Sequence, residues 1–535
     1  MLLMAAAPLA FLLLFFIFPV VTILLKGLAP DGAFELGRVL EILGRPFVRE
    51  VAWFTLWQAL LSTALTVLVA LPGAYVFGRL DFPGRRLLNA AALVPFVLPT
   101  VVVAAAFLAL LGPRSPFGLR LEHTIWAILV AHVFYNYAVV LRIVGGVWAQ
   151  VDPRMEEAAR VLGATRWQAF RRVTLPLLRP AIASAASIVF LFTFTSFGVI
   201  LILGGPQFAT LEVEIYRQAA QLLDLRVAAT LTVVQLVALA ALLFVQARFQ
   251  ERGAIRTRAA TPRLGRRRPR TTGERAFLIG NLGLMAVLLG LPLAVLIERS
   301  LSVAGGYGLD YYFALFNSQR SALFVPPLEA IRNSLLFAAM ATVISVSLGL
   351  LAAQVIATGR GGLSRAFDVL LSLPLGTSAV ILGFGFLVAL GTLPVDLRVS
   401  PLLIPIAHAL VALPFVVRAV VPVMRSIDQR LHEAAAVLGA SPGRTWRRID
   451  LPIIARAALI GAGFSFAVSL GEFGATLFIV RPDTPTMPIA IFRLLGQPGP
   501  LAFGQAMAMA TLLMIITTAA VVAIDRVRVP ARGAL

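Results

Sequence analysis

The chain contains no cysteine in its 535 residues. That excludes disulfides, thiolate nucleophiles and cysteine-ligated metal sites. Lysine is nearly absent as well, with Lys26 its single instance. A Walker A loop needs Gly-x-x-x-x-Gly-Lys followed by Ser or Thr to cradle phosphates. Lys26 follows an apolar run with no such loop, so the chain carries no P-loop of its own. The four histidines are dispersed, which argues against a dedicated metal site, and no catalytic triad is visible. Charge is scarce too. Asp, Glu, Lys and Arg make up 13% of the residues, against about 25% in a soluble domain.

Apolar residues are abundant: 59% of the chain is hydrophobic and the mean hydropathy is +0.92. Such a composition is that of an integral membrane protein whose core is buried largely in lipid. The net charge of +21 comes from arginines in short loops between apolar runs. That is the positive-inside pattern, and it speaks for a bilayer rather than a nucleic acid as the partner. A spanning helix needs about 20 mostly apolar residues. Runs of that kind number twelve: 5–25, 52–77, 88–111, 125–147, 179–203, 227–247, 277–298, 331–356, 366–390, 401–423, 455–480 and 502–525. The expected fold is therefore all-α, with about twelve transmembrane helices.

The first run has neither a basic leader nor an Ala-x-Ala cleavage site, and reads as a membrane helix rather than a secretory signal. Residues 248–276 are the one long polar stretch, with ten arginines between Arg248 and Arg275. They read as a disordered or surface-bound cytoplasmic linker. The linker divides the chain into a first half, 1–247, and a second half, 277–535, each with six spans. The basic loops Arg79–Arg86 and Arg360–Arg365 then fall on the linker's side of the membrane.

A stretch of about twenty residues occurs twice. The first copy reads Glu157-Ala158-Ala159, three residues, Gly163-Ala164, then Leu175-Pro176; the second reads Glu433-Ala434-Ala435, three residues, Gly439-Ala440, then Leu451-Pro452. Each position in the second copy is the first plus 276, and the same offset joins His132 to His408, Arg142 to Arg418, Phe197-Gly198 to Phe473-Gly474 and Arg217 to Arg493. One register over such a length is the mark of duplication. Six spans per half make the repeat parallel, which places a pathway at the interface between the halves.

Asp152 and Asp428 can N-cap a short helix, with Pro153 at its first position. Gly163 and Gly439 are placed to end it in a left-handed turn. Thr165 and Ser441 can cap a second helix, and Pro176 and Pro452 mark the return into the membrane. A purely structural loop explains one copy better than two alike. A docking knob for a two-fold cytoplasmic partner explains both.

This pattern resembles the EAA loop of ATP-binding-cassette importer permeases. The resemblance implies a type I importer permease fold, with two parallel six-helix repeats in the bacterial cytoplasmic membrane. It implies that Glu157, Ala158, Ala159, Gly163, Glu433, Ala434, Ala435 and Gly439 belong to two coupling helices. It further implies two copies of an ATPase subunit that bind ATP and magnesium, no cofactor in this chain, and a periplasmic or surface solute-binding protein outside. Within the family, Ser196-Phe197-Gly198-Val199-Ile200, Gly204-Gly205-Pro206 and Ala131-His132-Val133-Phe134-Tyr135-Asn136 look closer to thiamine permeases than to iron(III) permeases. The implied cargo is thiamine or its phosphates, with iron(III) as the alternative. A secondary transporter is the rival of another class, but it has no need of two such loops.

Polar residues inside spans are costly and often functional. His132 and His408 are repeat mates and read first as helix-packing residues. Glu472 lies deep in a span with Ser196 as its mate, and both are candidates to face the pathway. Gly198 and Gly474 flank them and permit close helix approach.

Overall fold

A helix in hydrocarbon must satisfy its backbone N–H and C=O groups internally, and the long apolar runs here do so. The computed structural model describes residues 2–29, 36–254, 266–316, 325–359, 361–392, 394 and 396–527. Among these, ten helices are long and apolar enough to cross a bilayer, and two bent pairs bring the number to twelve if each pair is one span. The pairs are Arg85–Val97 with Thr100–Leu111, bent by 99°, and Ser364–Gly376 with Ala379–Thr392, bent by 97°. They occupy the expected runs 88–111 and 366–390, which are thus broken rather than straight. In the first half Leu98 precedes Pro99 and is held extended, with ψ 142°, because a proline clashes with a helical predecessor. In the second half Thr377 and Ser378 are extended, and Ser378 Oγ accepts the Val380 N–H at 3.1 Å. That hydroxyl starts the next helix as an N-cap.

The linker is partly ordered. Residues 248–254 continue the Leu225–Ala254 helix, and 266–271 lead into the Thr272–Met285 helix. Disorder or surface binding is expected over all of 248–276; both ends correct that expectation, and residues 255–265 lie outside the described residues.

Prolines set the local helix geometry. A proline inside a helix removes one hydrogen bond and pushes on the carbonyl four residues back. Four π turns meet this demand, at Leu13–Ile17, Phe170–Thr174, Ala286–Gly290 and Trp446–Asp450. Each is followed two residues later by a proline: Pro19, Pro176, Pro292 and Pro452. The wider turn moves the obstructed carbonyl and lets the helix continue. Pro176 and Pro452 therefore do not interrupt the chain at the membrane surface. The second arm of each repeated loop runs unbroken into a span, as Arg166–Phe194 and Pro442–Gly471. The first and third π turns also show that the opening helices of the two halves are repeat mates, at an offset of 273 rather than 276.

The halves are interlocked. Leu2–Leu12 packs on Pro327–Thr358 of the second half, and Thr272–Met285 packs on Pro46–Arg79 of the first. Phe18–Leu28 likewise lies against Ala379–Ala389, and Leu291–Leu301 against Thr100–Leu111. The post-break helices sit at the centre, and Val101 to Phe107 and Val380 to Phe386 are buried all the way round.

Within each half the second and fourth spans pack closely along a small residue. A Cβ on Gly73 would collide with the Tyr137 hydroxyl, and one on its mate Gly349 would come within 2.6 Å of Val416 Cγ1. Leucine at either position therefore overpacks the contact, at a cost of about 1–3 kcal/mol. We expect Gly73→Leu and Gly349→Leu to lower the thermal midpoint of the solubilised chain. Gly283→Leu, which adds its side chain to open space, serves as the control and should leave the midpoint in place.

Candidate functional site

Each repeated loop is a capped helix closed by a glycine turn. Asp152 accepts the Arg154 N–H at 2.9 Å, and Asp428 accepts the Arg430 N–H at 3.0 Å. The helices run Pro153–Val161 and Gln429–Val437. Gly163 and Gly439 take φ of +90° and +73°, the left-handed region that glycine enters without a Cβ penalty. The amides that follow close both ends in the same way. Ala164 N–H reaches Ala159 O at 3.1 Å and Gly163 N–H reaches Arg160 O at 3.0 Å; Ala440 N–H reaches Ala435 O at 2.9 Å and Gly439 N–H reaches Ala436 O at 3.0 Å. This is the Schellman pattern. The last alanine of each Glu-Ala-Ala triplet supplies its carbonyl.

The second arms start differently. Thr165 forms a full capping box with Gln168, at 3.2 and 2.9 Å. Ser441 makes no side-chain cap; Pro442 occupies the first helical position instead, where its missing N–H leaves no donor unpaired.

Glu157, Ala158, Glu433 and Ala434 are exposed, whereas Ala159 and Ala435 turn toward the base of the loop. The largest exposed apolar groups here are ones the sequence did not single out. Val161 and Leu162 are 87% and 88% exposed, and Val437 and Leu438 are 87% and 85% exposed. Both loops thus present the same Val-Leu pair to solvent at their tips. The shared Val-Leu pair inside both three-residue gaps was the available signal.

Both second arms end at one place. Arg166–Phe194 stops just before Ser196 and Phe197, and Pro442–Gly471 stops just before Glu472 and Phe473. Phe197 and Phe473, repeat mates from opposite halves, stack on each other with centroids 5.6 Å apart. Each ring also meets a second ring edge-on in its own half: Phe197 with Tyr216 at 5.7 Å, and Phe473 with Phe492 at 5.5 Å. The four rings make a symmetric plug between the halves. Gly198 gives it room, since a Cβ there would lie 2.5 Å from Thr100 Oγ1 and 3.3 Å from Phe473 Cδ1. A Cβ on Gly474 would lie 3.1 Å from Ala379 Cβ and 3.3 Å from Val380 N.

The polar candidates flank this plug. His132 is buried, with Nδ1 2.9 Å from Ser62 Oγ and Nε2 2.9 Å from Ser196 Oγ. His408 is buried too, with Nδ1 2.7 Å from Ser469 Oγ and Nε2 2.8 Å from Thr476 Oγ1. His132 thus ties two helices and the break at Ser196 together, and His408 joins three helices of its own half. Glu472 is buried, and both its oxygens are engaged. Oε1 accepts the Ala475 N–H at 2.9 Å, and Oε2 accepts the Thr476 N–H at 2.9 Å and the Thr476 hydroxyl. The carboxylate lies at the N-terminus of the short Thr476–Ile479 helix, where orphan amides and the helix dipole both favour it.

A second buried carboxylate lies at the interface itself. Glu212 Oε2 accepts the Ser378 hydroxyl at 2.5 Å across the halves, and Oε1 accepts Gln235 Nε2 at 3.0 Å. The repeat gave no hint of it, because its mate is Pro488. No cluster of three or more metal-ligating side chains occurs among the described residues.

The chain matches the family model described as binding-protein-dependent transport system inner membrane component, twice, over residues 62–256 and 322–530. It is 27% identical over 508 residues to a probable ABC transporter permease protein of Sinorhizobium fredii, covering 90% of this chain and 88% of that one. It is 29% identical over 467 residues to a thiamine transport system permease protein of Brucella abortus, covering 84% and 83%. It is 25% identical over 496 residues to a putative ferric transport system permease protein of Haemophilus influenzae, covering 88% and 77%.

The Glu472 geometry generates a test. Glu472→Gln places an amide NH2 against donors that now face a carboxylate, which should destabilise the fold by about 1–3 kcal/mol. We expect a lower thermal midpoint with the solute affinity of transport unchanged. An unchanged midpoint with altered uptake kinetics would support the expected place of Glu472 on the solute pathway.

Proposed function

Because the chain belongs to the family of binding-protein-dependent transport system inner membrane components, we propose that it supplies both transmembrane halves of an ATP-driven thiamine importer. It is a transport permease of the cytoplasmic membrane and not a catalytic enzyme. The observation that carries the coupling mechanism is the continuity of each loop with a helix that ends at the ring plug. The 29-residue helix Arg166–Phe194 spans about 43 Å at 1.5 Å per residue. An element of that length, continuous through its π turn at Phe170–Thr174 and past Pro180, joins loop to plug in one helix.

In this reading two ATPase subunits, which bind ATP and magnesium, hold the two loops. The apolar tips Val161-Leu162 and Val437-Leu438 seat in them, and the Glu-Ala-Ala helices set the angle of entry. When the ATPases close, the loops approach each other. The two levers then turn the halves apart at Phe197 and Phe473, and the pathway opens outward to a solute-binding protein. ATP hydrolysis falls to the separate subunit, in keeping with the absence of a P-loop from this sequence.

Thiamine or a thiamine phosphate is the proposed cargo. The similarity to a thiamine permease supports it. The similarity to a ferric permease keeps iron(III) as the competing cargo.

Two experiments test the proposal. Gly163→Val and Gly439→Val force a β-branched residue into left-handed backbone, at roughly 1–2 kcal/mol each. We expect each to weaken ATPase retention on the purified permease and to lower ATP-driven uptake. Full retention and uptake in both variants would sink the docking role. Reconstitution with an ATPase subunit and a thiamine-binding protein of such a system should give uptake of labelled thiamine. Uptake of iron(III) without thiamine would reassign the cargo.

A further inference from the structure

The end of the linker is bound to the first half, beside the first loop. Arg267 N–H donates to Arg79 O at 3.1 Å, and Asp81 N–H donates to Arg267 O at 3.0 Å. This is a single parallel β-bridge between Leu80 and Arg267. The Arg267 guanidinium then grips Glu274 with two bonds, at 2.8 and 2.5 Å, and Glu274 also accepts the Arg270 N–H at 2.9 Å. Bidentate pairs of this kind fix orientation as well as distance. Arg267 is held above the usual guanidinium range, first by this bond to Glu274 and also by the charge of Glu157 in the first loop's helix.

From that anchor a column of rings leads to the loop. Phe277, in the first helix of the second half, meets Tyr75 edge-on at 5.8 Å. Tyr75 meets Trp148 at 5.4 Å, Trp148 stacks on Phe170 at 6.0 Å, and Phe170 stacks on Trp167 at 5.6 Å. Trp167 is 66% exposed on the second arm of the first loop. Alongside the column, Arg79 donates to Val151 O at 2.6 Å, at the loop's entry.

The second half does not repeat this column at the equivalent positions. The repeat mates of Tyr75, Trp148 and Trp167 are Leu351, Met424 and Gly443. Its loop is tied across its own two arms instead, by His432 Nε2 to Asp450 Oδ1 at 2.9 Å.

We propose that residues 266–271 are a latch through which the linker braces the first coupling loop and not the second, with Arg267 and Tyr75 as positioning residues. The two handles offered to the motor are then mechanically unequal. The first moves as one body with the cytoplasmic end of the second half's opening helix. The second moves with its own half alone. The consequence for transport rests on the coupling role proposed above, but the inequality itself does not.

The absence of cysteine from the chain makes a direct test possible. Leu162→Cys and Leu438→Cys each accept one nitroxide, at repeat-related sites of nearly equal exposure, 88% and 85%. Spin-label mobility is measured on the purified full chain in nanodiscs, with no ATPase and no solute, so failure of the cargo or docking reading cannot affect it. The label at 162 should be the less mobile of the two. Arg267→Pro, which removes both the N–H and the guanidinium, should bring the mobility at 162 toward that at 438 and leave 438 unchanged. Tyr75→Leu, which installs the second half's residue, should act in the same direction. Arg268→Ala, an arginine loss outside the latch bonds, should change neither site. Equal mobility at the two sites in the parent chain, or an equal change at both in Arg267→Pro, overturns the proposal. Should Arg267→Pro fail to fold, as read by its thermal midpoint, Tyr75→Leu decides alone.

Discussion

An unpaired backbone group in a bilayer has no water to turn to, and that constraint shapes every unusual feature of this protein. Proline is the clearest case. Four times a helix meets a proline and widens into a π turn instead of stopping. At Pro176 and Pro452 this converts a surface loop's second arm into the start of a span. Where the chain does break, Leu98-Pro99 is buried, and Thr377-Ser378 is half-buried with the Ser378 hydroxyl bonded across the halves to Glu212. Freed backbone groups at membrane depth need such protein surroundings or partners.

The same constraint places the buried ionisable side chains. Glu472 is held by backbone amides at a helix start, and Glu212 by a hydroxyl and a carboxamide from two other elements. Both histidines have hydroxyl partners on both ring nitrogens. These groups join segments that meet near the ring plug, so that the plug and its supports form one polar-laced layer in an otherwise apolar core. Burial without partners costs several kcal/mol per group, and this layer meets that cost with hydrogen bonds.

Much of this was legible in the sequence. Hydropathy located the spans, and the offset of 276 located the duplication and both loops. The caps at Asp152, Thr165 and Asp428 followed from local residue chemistry, as did the turns at Gly163 and Gly439. What was not legible came from contacts between distant segments. A hydropathy window cannot see direction, so two runs that fold back by nearly a right angle read as straight spans. The partners of His132 and His408 lie on elements some sixty or seventy residues away, and the stack of Phe197 on Phe473 joins opposite halves. The opening helices escaped the repeat because their offset is three residues shorter. The linker's arginines looked alike, yet Arg267 is singled out by backbone pairing that no side-chain pattern encodes.

The interlocking of the opening helices bears on how the protein is made. The first half emerges from the ribosome with the surface of Pro46–Arg79 still waiting for Thr272–Met285, and with Leu2–Leu12 waiting for Pro327–Thr358. Neither surface is covered until synthesis has passed the linker. The contacts that complete the first half are therefore made last in the order of synthesis. Carrying both halves on one polypeptide holds those late partners at a high effective concentration.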